Sequence, residues 1–420
     1  MARGVSPDPA RTGPARRGAR VAAAAWVLGT ALAGCGDAGD ARATLSVAET
    51  LATADTAGYA RATRPREFAF PADHGPHPDF KHEWWYFTGN LEAPDGGDFG
   101  FQLTFFRSAL RPEPSPIESD WATRQAYMAH FALTDVTGRE FHAFERFERG
   151  ALGLAGAEAG RVWVGEWEVR IEGGRGAGTG AEVAGTAGAG GGGGGATGGG
   201  VDGPVFRVRA AERDVGVELV LRATQPVVLQ GDRGLSVKGP EPGNASYYYS
   251  LTRLAAAGTV SVGDVRHRVA GEAWLDREWS TSALSPGLAG WDWFSLQLDD
   301  DSELMVYRLR TEAGGTSPFS AGTWVGPGGR VVRLGPDDFT LEETSHWDSP
   351  RGGRYPSGWR IRIAPLELEL EVAPRLAAQE LDLAFRYWEG TVLAEGRRGG
   401  RAVAGRGYVE LTGYADSAPR

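Results

Sequence analysis

The sequence predicts an all-β protein built from two related halves, and three observations carry that expectation. Apolar residues recur with period two rather than 3.6. Turn signals cut the chain at short intervals with no long amphipathic helix between them, and one order of aromatic strands occurs twice. Phe99, Phe101, Leu103 and Phe105 alternate with Gly100, Gln102 and Thr104. Trp167, Val169 and Ile171 follow the same rule, as do Val215 to Leu221, Trp359 to Ile363 and Leu366 to Val372. Successive strand side chains point to opposite faces, so each run is a half-buried strand. Asp95-Gly96-Gly97, Thr137-Gly138, Asp299-Asp300-Asp301 and Pro327-Gly328-Gly329 supply the turns.

The duplication shows as four echoes in one order. Trp84-Trp85-Tyr86-Phe87 with the strand Phe99 to Arg107 is echoed by Trp291-Asp292-Trp293-Phe294 with Leu304 to Arg310. Ala129 to Phe144 is echoed by Ala321 to Leu334, Trp167-x-Val169-x-Ile171 by Trp359-x-Ile361-x-Ile363, and Tyr248 to Thr252 by Tyr408 to Thr412. The change-over falls near residues 255–265, giving an N-terminal domain over 65–260 and a C-terminal domain over 261–420.

Before the fold comes an address. Arg3, Arg11, Arg16, Arg17 and Arg20 precede an apolar run from Val21 to Leu32 that is too short to span a bilayer, and Leu32-Ala33-Gly34-Cys35 follows as a bacterial lipobox would. The chain's single Cys occupies the position that lipidation requires. Residues 1–34 are therefore expected to be a lipoprotein signal peptide and 35–64 a tether, with a short helix around Leu45 to Leu51. The exported protein would be held in the cell envelope by acyl chains on Cys35, since two or more chains anchor stably where one does not. Residues 173–203, with six consecutive glycines at Gly190 to Gly195, bury no core and read as an inserted loop. They lack the Lys-Ser/Thr ending of a phosphate-binding loop.

Composition removes several function classes. One Cys and three Met among 420 residues exclude a disulfide scaffold, a thiolate-rich zinc site and an iron–sulfur protein. A net charge of -10, falling to -14 after cleavage, and only two lysines, Lys81 and Lys238, argue against a nucleic-acid partner.

Two clusters carry chemistry. Asp73-His74-Gly75-Pro76-His77-Pro78-Asp79-Phe80-Lys81-His82-Glu83-Trp84-Trp85-Tyr86 gathers three His and three acids before an aromatic strand. A metal loop, a pocket mouth and a hydrogen-bonded structural loop all fit it. The prolines break any helix that would present a metal-ligating motif, and no metal is assigned. In Glu272-Ala273-Trp274-Leu275-Asp276-Arg277-Glu278-Trp279-Ser280, Trp274, Asp276 and Glu278 share one strand face and Leu275, Arg277 and Trp279 the other. Adjacent carboxylates beside indoles are what a general acid needs, because desolvation and like charge raise a carboxyl pKa. A surface Asp-Arg-Glu ladder is the competing reading. There is no G-x-S-x-G elbow, and a triad dispersed in sequence stays open.

Phe70 to Leu91, together with Ala273 to Ser280 and Gly405 to Tyr414, resembles the AttH-like family of secreted bacterial proteins, a family related to carotenoid 1,2-hydratase (hydroxyneurosporene synthase). The resemblance covers nearly everything from residue 65 onward. It implies two tandem lipocalin-like β-barrel domains, and it implies one of two functions. In the first, a lipid-anchored protein binds a long apolar isoprenoid, carotenoid or lipid and assists an ABC transporter. In the second, a cofactor-free hydratase, or a lipid-directed hydrolase, uses Asp276 as proton donor with Glu278 beside it. His82, Glu83, Trp84, Trp85, Tyr86, Trp274, Trp279, Trp291 and Trp293 would line the ligand slot. The hydratases tend to carry His directly after the acid, where this chain has Arg277.

Overall fold

The computed structural model describes residues 56–113, 119, 121–173, 203–282 and 285–415. The leader, Cys35, the start of the tether and nearly all of the Gly-rich segment lie outside the described residues.

The described chain is almost entirely strand. The first sheet takes β1 (His82–Glu92), β2 (Asp98–Ala109), β3 (Gln125–Asp135), β4 (Glu140–Arg149), β5 (Ala155–Glu158), β6 (Arg161–Val164) and β7 (Trp167–Glu172). It continues through β8 (Val205–Glu212), β9 (Val215–Ala223), β10 (Val228–Leu229), β11 (Leu235–Val237), β12 (Ala245–Val262) and β13 (Val265–Ser280). The second comprises β14 (Leu288–Leu298), β15 (Glu303–Thr311), β16 (Ala321–Gly326), β17 (Arg330–Leu334), β18 (Phe339–Asp348), β19 (Arg354–Ile363), β20 (Leu368–Pro374), β21 (Glu380–Asp382), β22 (Arg386–Arg398) and β23 (Arg401–Leu411). Both sheets are antiparallel and curl into barrels. In each, a four-strand meander opens the sequence, and its first strand pairs with the last strand of the domain: β1 with β13, and β14 with β23. In the first sheet the ion pair Arg146–Glu212 (2.9 Å) spans from β4 to β8, strands far apart in the hydrogen-bonded order.

This pairing corrects the expected domain boundary. β13, assigned from sequence to the second half, is a central strand of the first sheet, so the change-over lies between Ser280 and Leu288 rather than at 260/261. Residues 255–265 are the middle of a long hairpin, turned at Gly263-Asp264. The first two echoes match equivalent strands, β1–β4 with β14–β17. The last two are each displaced by one strand, because aromatic content was matched where strand pairing decides equivalence.

Alternation along each strand sorts side chains between three cores. Trp85, Phe87 and Leu91 of β1 fill the first barrel with Phe99, Phe101, Phe131 and Trp167. Phe294, Trp359, Ile361, Leu370 and Trp388 fill the second. The opposite faces of β1, β12, β13, β14, β15 and β23 meet between the barrels through Tyr86, Tyr248, Trp274, Trp293, Met305, Tyr307 and Tyr408.

Hydrogen bonds hold this seam. Thr134 donates to Gln379 (2.8 Å), Gln297 to the carbonyls of Thr252 (2.8 Å) and Ala273 (2.9 Å), and Thr323 to Gln230 (2.6 Å). Gly100 lets the barrels touch: a Cβ there would lie 2.7 Å from the Tyr408 hydroxyl and 2.8 Å from Thr391. Gly100→Val is therefore expected to destabilise the protein by ~1–3 kcal/mol, as overpacking does. Thermal denaturation checks this, and an unchanged melting temperature would show that the seam yields.

Candidate functional site

The seam encloses a cavity lined by both barrels. Even-numbered residues of β1, β2, β3 and β13 face it, namely Trp84 and Tyr86, Thr104 and Phe106, Met128 and His130, Asp276 and Glu278. Trp291, Trp293, Tyr307, Tyr387, Glu389 and Glu410 face them from the second barrel. Register explains the convergence: Tyr86 stands opposite Asp276 and Thr104, Thr104 opposite His130, and Glu389 opposite Glu410.

Asp276 lies buried in this cavity. Its Oδ1 accepts hydrogen bonds from Ser250 (2.5 Å) and Trp274 Nε1 (2.6 Å), and its Oδ2 accepts one from the Tyr248 hydroxyl. Ser250 in turn accepts from Gln230 (2.8 Å). Burial raises the Asp276 pKa to about 7; the three donors oppose that rise and the charge of Glu278 adds to it. Asp276 is thus a carboxyl that carries or yields a proton near neutrality. Glu278 accepts from Ser246 and lies 3.6 Å from the ammonium of Lys238, which sits over the Tyr307 ring at 4.1 Å. Burial alone would lower the Lys238 pKa, but Glu278 outweighs it and holds the ammonium charged.

The second barrel contributes another acid pair. Burial, opposed by a 2.8 Å hydrogen bond from Trp291 Nε1 and reinforced by the charges of Asp276 and Glu278, raises Glu410 to about 7. Burial and Glu410 push Glu389 well above the usual carboxylate range; the nearby Tyr86 and Tyr387 phenols pull the other way. Neither oxygen of Glu389 has an aligned hydrogen-bond donor, and the Tyr86 hydroxyl and His130 Nε2 are likewise unpaired. His130, whose Nδ1 lies 2.8 Å from the Tyr387 hydroxyl, is kept neutral by burial, which lowers its pKa to about 3.

Of the residues singled out from sequence, Asp276, Glu278, Trp84, Tyr86, Trp291 and Trp293 line the cavity. Trp274 lies behind it and reaches Asp276. Trp85, Glu83 and Trp279 do not line it, because odd-numbered residues of β1 and β13 face the other way. Trp85 is in the first barrel's core. Trp279 packs among Phe68, Tyr247 and Tyr249, with His77 stacked on it at 3.6 Å. Glu83 is buried between Arg107 and Arg277 (Nη2–Oε2 2.6 Å). His82 is also off the cavity and contacts Ser108 (3.1 Å).

The histidine cluster is dispersed by these contacts: His74 contacts Tyr249 (2.6 Å) and His77 bridges Asp73 (3.0 Å) and Glu83 (3.3 Å). Among the described residues no group of His, Cys, Asp and Glu is placed to hold a metal ion. Arg277 sits over Trp85 at 3.7 Å and points away from the cavity, so the departure from the hydratase pattern lies on the far face of β13.

Lys238, Tyr248, His130, Tyr387 and Glu389 were missed from sequence, since strands distant along the chain bring them together. Glu410 stood within a quoted motif, yet nothing local marked it as facing Asp276's cavity.

With this geometry in view, the AttH-like family model matches residues 61–189 and 196–414. The chain belongs to the AttH-like family. A crystal structure from Nitrosomonas europaea assigned to AttH is 33% identical, with a TM-score of 0.70 over 84% of this chain and 99% of that chain. Kievitone hydratase from Nectria haematococca, 14% identical, shares the fold with a TM-score of 0.58 over 86% of this chain and 97% of that one. No curated protein matches the chain significantly. For an AttH-like chain, the feature that carries chemical information is the acid-lined cavity between its barrels.

Proposed function

We propose that this AttH-like protein is a cofactor-free hydro-lyase that adds water across a carbon–carbon double bond of an apolar, isoprenoid-type molecule held between the two barrels. The observation that carries the reading is Asp276, a fully buried carboxyl with a pKa of about 7 at an aromatic-walled cavity. In the forward step Asp276 gives its proton to one alkene carbon, the π pair forms the new C–H bond, and the other carbon becomes cationic. The faces of Trp84, Trp291 and Trp293 and the surrounding carboxylates favour that cation. A water oxygen then bonds to the cationic carbon, and its surplus proton returns to the Asp276 carboxylate, which restores the acid for the next turnover. The resemblance of the fold to a hydratase supports this class of reaction and does not name the substrate.

The carrier reading uses the same cavity but gives no role to a buried acid poised at neutrality, so catalysis is favoured. Export and anchoring through Cys35 belong to the proposal on the strength of the leader, and cooperation with an ABC transporter on the strength of the family resemblance.

The test is mass spectrometry of organic extracts after incubation with acyclic carotenoids, with Asp276→Asn alongside. A product heavier by one water and missing from the variant supports the hydro-lyase. A retained apolar molecule with no product overturns it in favour of a carrier.

A further inference from the structure

Five of the eight large apolar side chains that remain exposed among the described residues gather at one rim of the first barrel. That rim is formed by the start of β1, the end of β2, the start of β3 and the end of β4, because His82 pairs with Ser108, Ser108 with Ala126 and Ala126 with Arg149. Leu110 follows the end of β2, Trp121 precedes β3, Phe147 lies on β4 opposite Met128, and Leu152 and Leu154 follow β4. Trp121 and Phe147 are 68% and 66% exposed. The rim segments are tied together: Leu110 N–H donates to the Arg124 carbonyl (2.8 Å), and Gly150 N–H to Gln125 (3.0 Å).

Two further features fall at this rim. Of the half-exposed members of the cavity lining, Trp84, Phe106, Ser108 and Met128 lie toward the same strand ends, the others being Lys238, Ser282 and Trp291, whereas Tyr86, His130, Asp276 and Glu389 lie deep. The even-numbered face of β2 runs outward from Phe106 through Ser108 toward Leu110, so the cavity mouth opens beside the apolar residues. The described chain also enters here. Tyr59 donates to the Ala109 carbonyl (3.2 Å), Thr281 to the Ala60 carbonyl, and Gly58 packs against Pro112. From Cys35 to this point about 20 residues intervene, a reach of at most ~70 Å when extended.

We infer that this rim rests on the phospholipid bilayer that holds the anchor, so that the cavity mouth faces the acyl phase from which an apolar substrate enters. The inference rests on the anchoring through Cys35 proposed above.

The full chain is purified from the envelope with its acyl chains, intact mass reporting their presence. It is then reconstituted into phosphatidylethanolamine–phosphatidylglycerol vesicles. With Cys35 acylated, Trp121→Cys, Phe147→Cys and, at the opposite end of β13, Val265→Cys each supply a single free thiol for a nitroxide. Labels at 121 and 147 are expected to be several-fold more accessible to oxygen than to a water-soluble nickel chelate, and the label at 265 the reverse. Labels at 121 and 147 as accessible to the chelate as that at 265 overturn the inference. So does shielding of both from both reagents, the pattern of a second copy or a protein partner. If the mass shows no acyl chains, the anchoring reading fails by itself. The rim is then judged by vesicle flotation: binding lost in a Trp121→Glu, Phe147→Glu double variant supports it, and absence of binding by the parent overturns it.

Discussion

Asp276→Asn is expected to remove product formation, by about 10²–10⁴-fold or more for a lost general acid, while making the protein more stable at alkaline pH. The second half needs no substrate. A carboxyl whose pKa rises from its ordinary 3.8 to about 7 on folding favours the fold only while it is protonated. Its contribution is complete below pH 3.8 and is lost as pH rises through 7, a difference on the order of 4 kcal/mol by linkage. Asn keeps the shape and the acceptor oxygen without ever ionising. Denaturant unfolding from pH 4 to 9 should therefore show the parent losing stability relative to the variant between about pH 4 and 7, with the gap levelling off above that. Curves that stay parallel would mean that folding does not raise the Asp276 pKa, and the proton-donor assignment would fall. Activity of the parent, for its part, should decline above pH 7 as the donor form is depleted.

How far this site was legible in the sequence follows from what is local. Strand alternation alone placed Trp274, Asp276 and Glu278 on one face, and the structure has them so. The same rule applied to β1 separates Trp84 and Tyr86 from Glu83 and Trp85. Reading His82 to Tyr86 as one aromatic–acidic cluster overlooked it. The duplication into two β domains was legible because the opening meander of each half repeats its aromatic pattern, and the closing of each into a barrel was implied by the family resemblance. Its boundary was not, because β13 shows its membership only through its pairing, with β12 across the Gly263-Asp264 turn and with β1, which begins nearly 200 residues earlier. Nor could local sequence show that the ligand space lies between the barrels rather than inside one. That depends on which faces of β1 and β14 meet, and Phe-rich runs such as Phe99 to Phe105 on β2 fill the barrel interior instead. Glu389, His130 and Tyr387 reach the site only through that meeting of faces.

The largest structural effect is expected behind the site, at Glu83. This carboxylate is fully buried and bridges Arg107 and Arg277, themselves almost without exposure. Arg107 further donates to the carbonyls of His77 (3.0 Å) and Phe80 (2.7 Å), and Arg277 to that of Gly75. Burial by itself would raise the Glu83 pKa, but the two guanidiniums overcome it and hold the group well below the usual carboxylate range. Glu83→Gln leaves two buried cations facing one neutral amide, a loss of roughly 3–5 kcal/mol for breaking a buried ion pair from one side. At ~2–4 °C per kcal/mol, the melting temperature should fall by on the order of 10 °C. The pH sign is opposite to that of Asp276: a lowered carboxyl pKa gives stability that is present above the ordinary value of 4.5 and lost as pH falls below it. The difference between parent and Glu83→Gln should therefore shrink on acidification, whereas that between parent and Asp276→Asn should grow from about pH 4 to 7. A Glu83→Gln variant as stable as the parent at pH 7 would show that the two arginines find other anions, and that the network does not fix β13. Since Arg277 and Asp276 are neighbours on opposite faces of that strand, loss of the network should also move Asp276. Glu83→Gln is then expected to lower activity without touching the cavity, and to shift the alkaline limb of the pH profile that an unmoved Asp276 would leave in place.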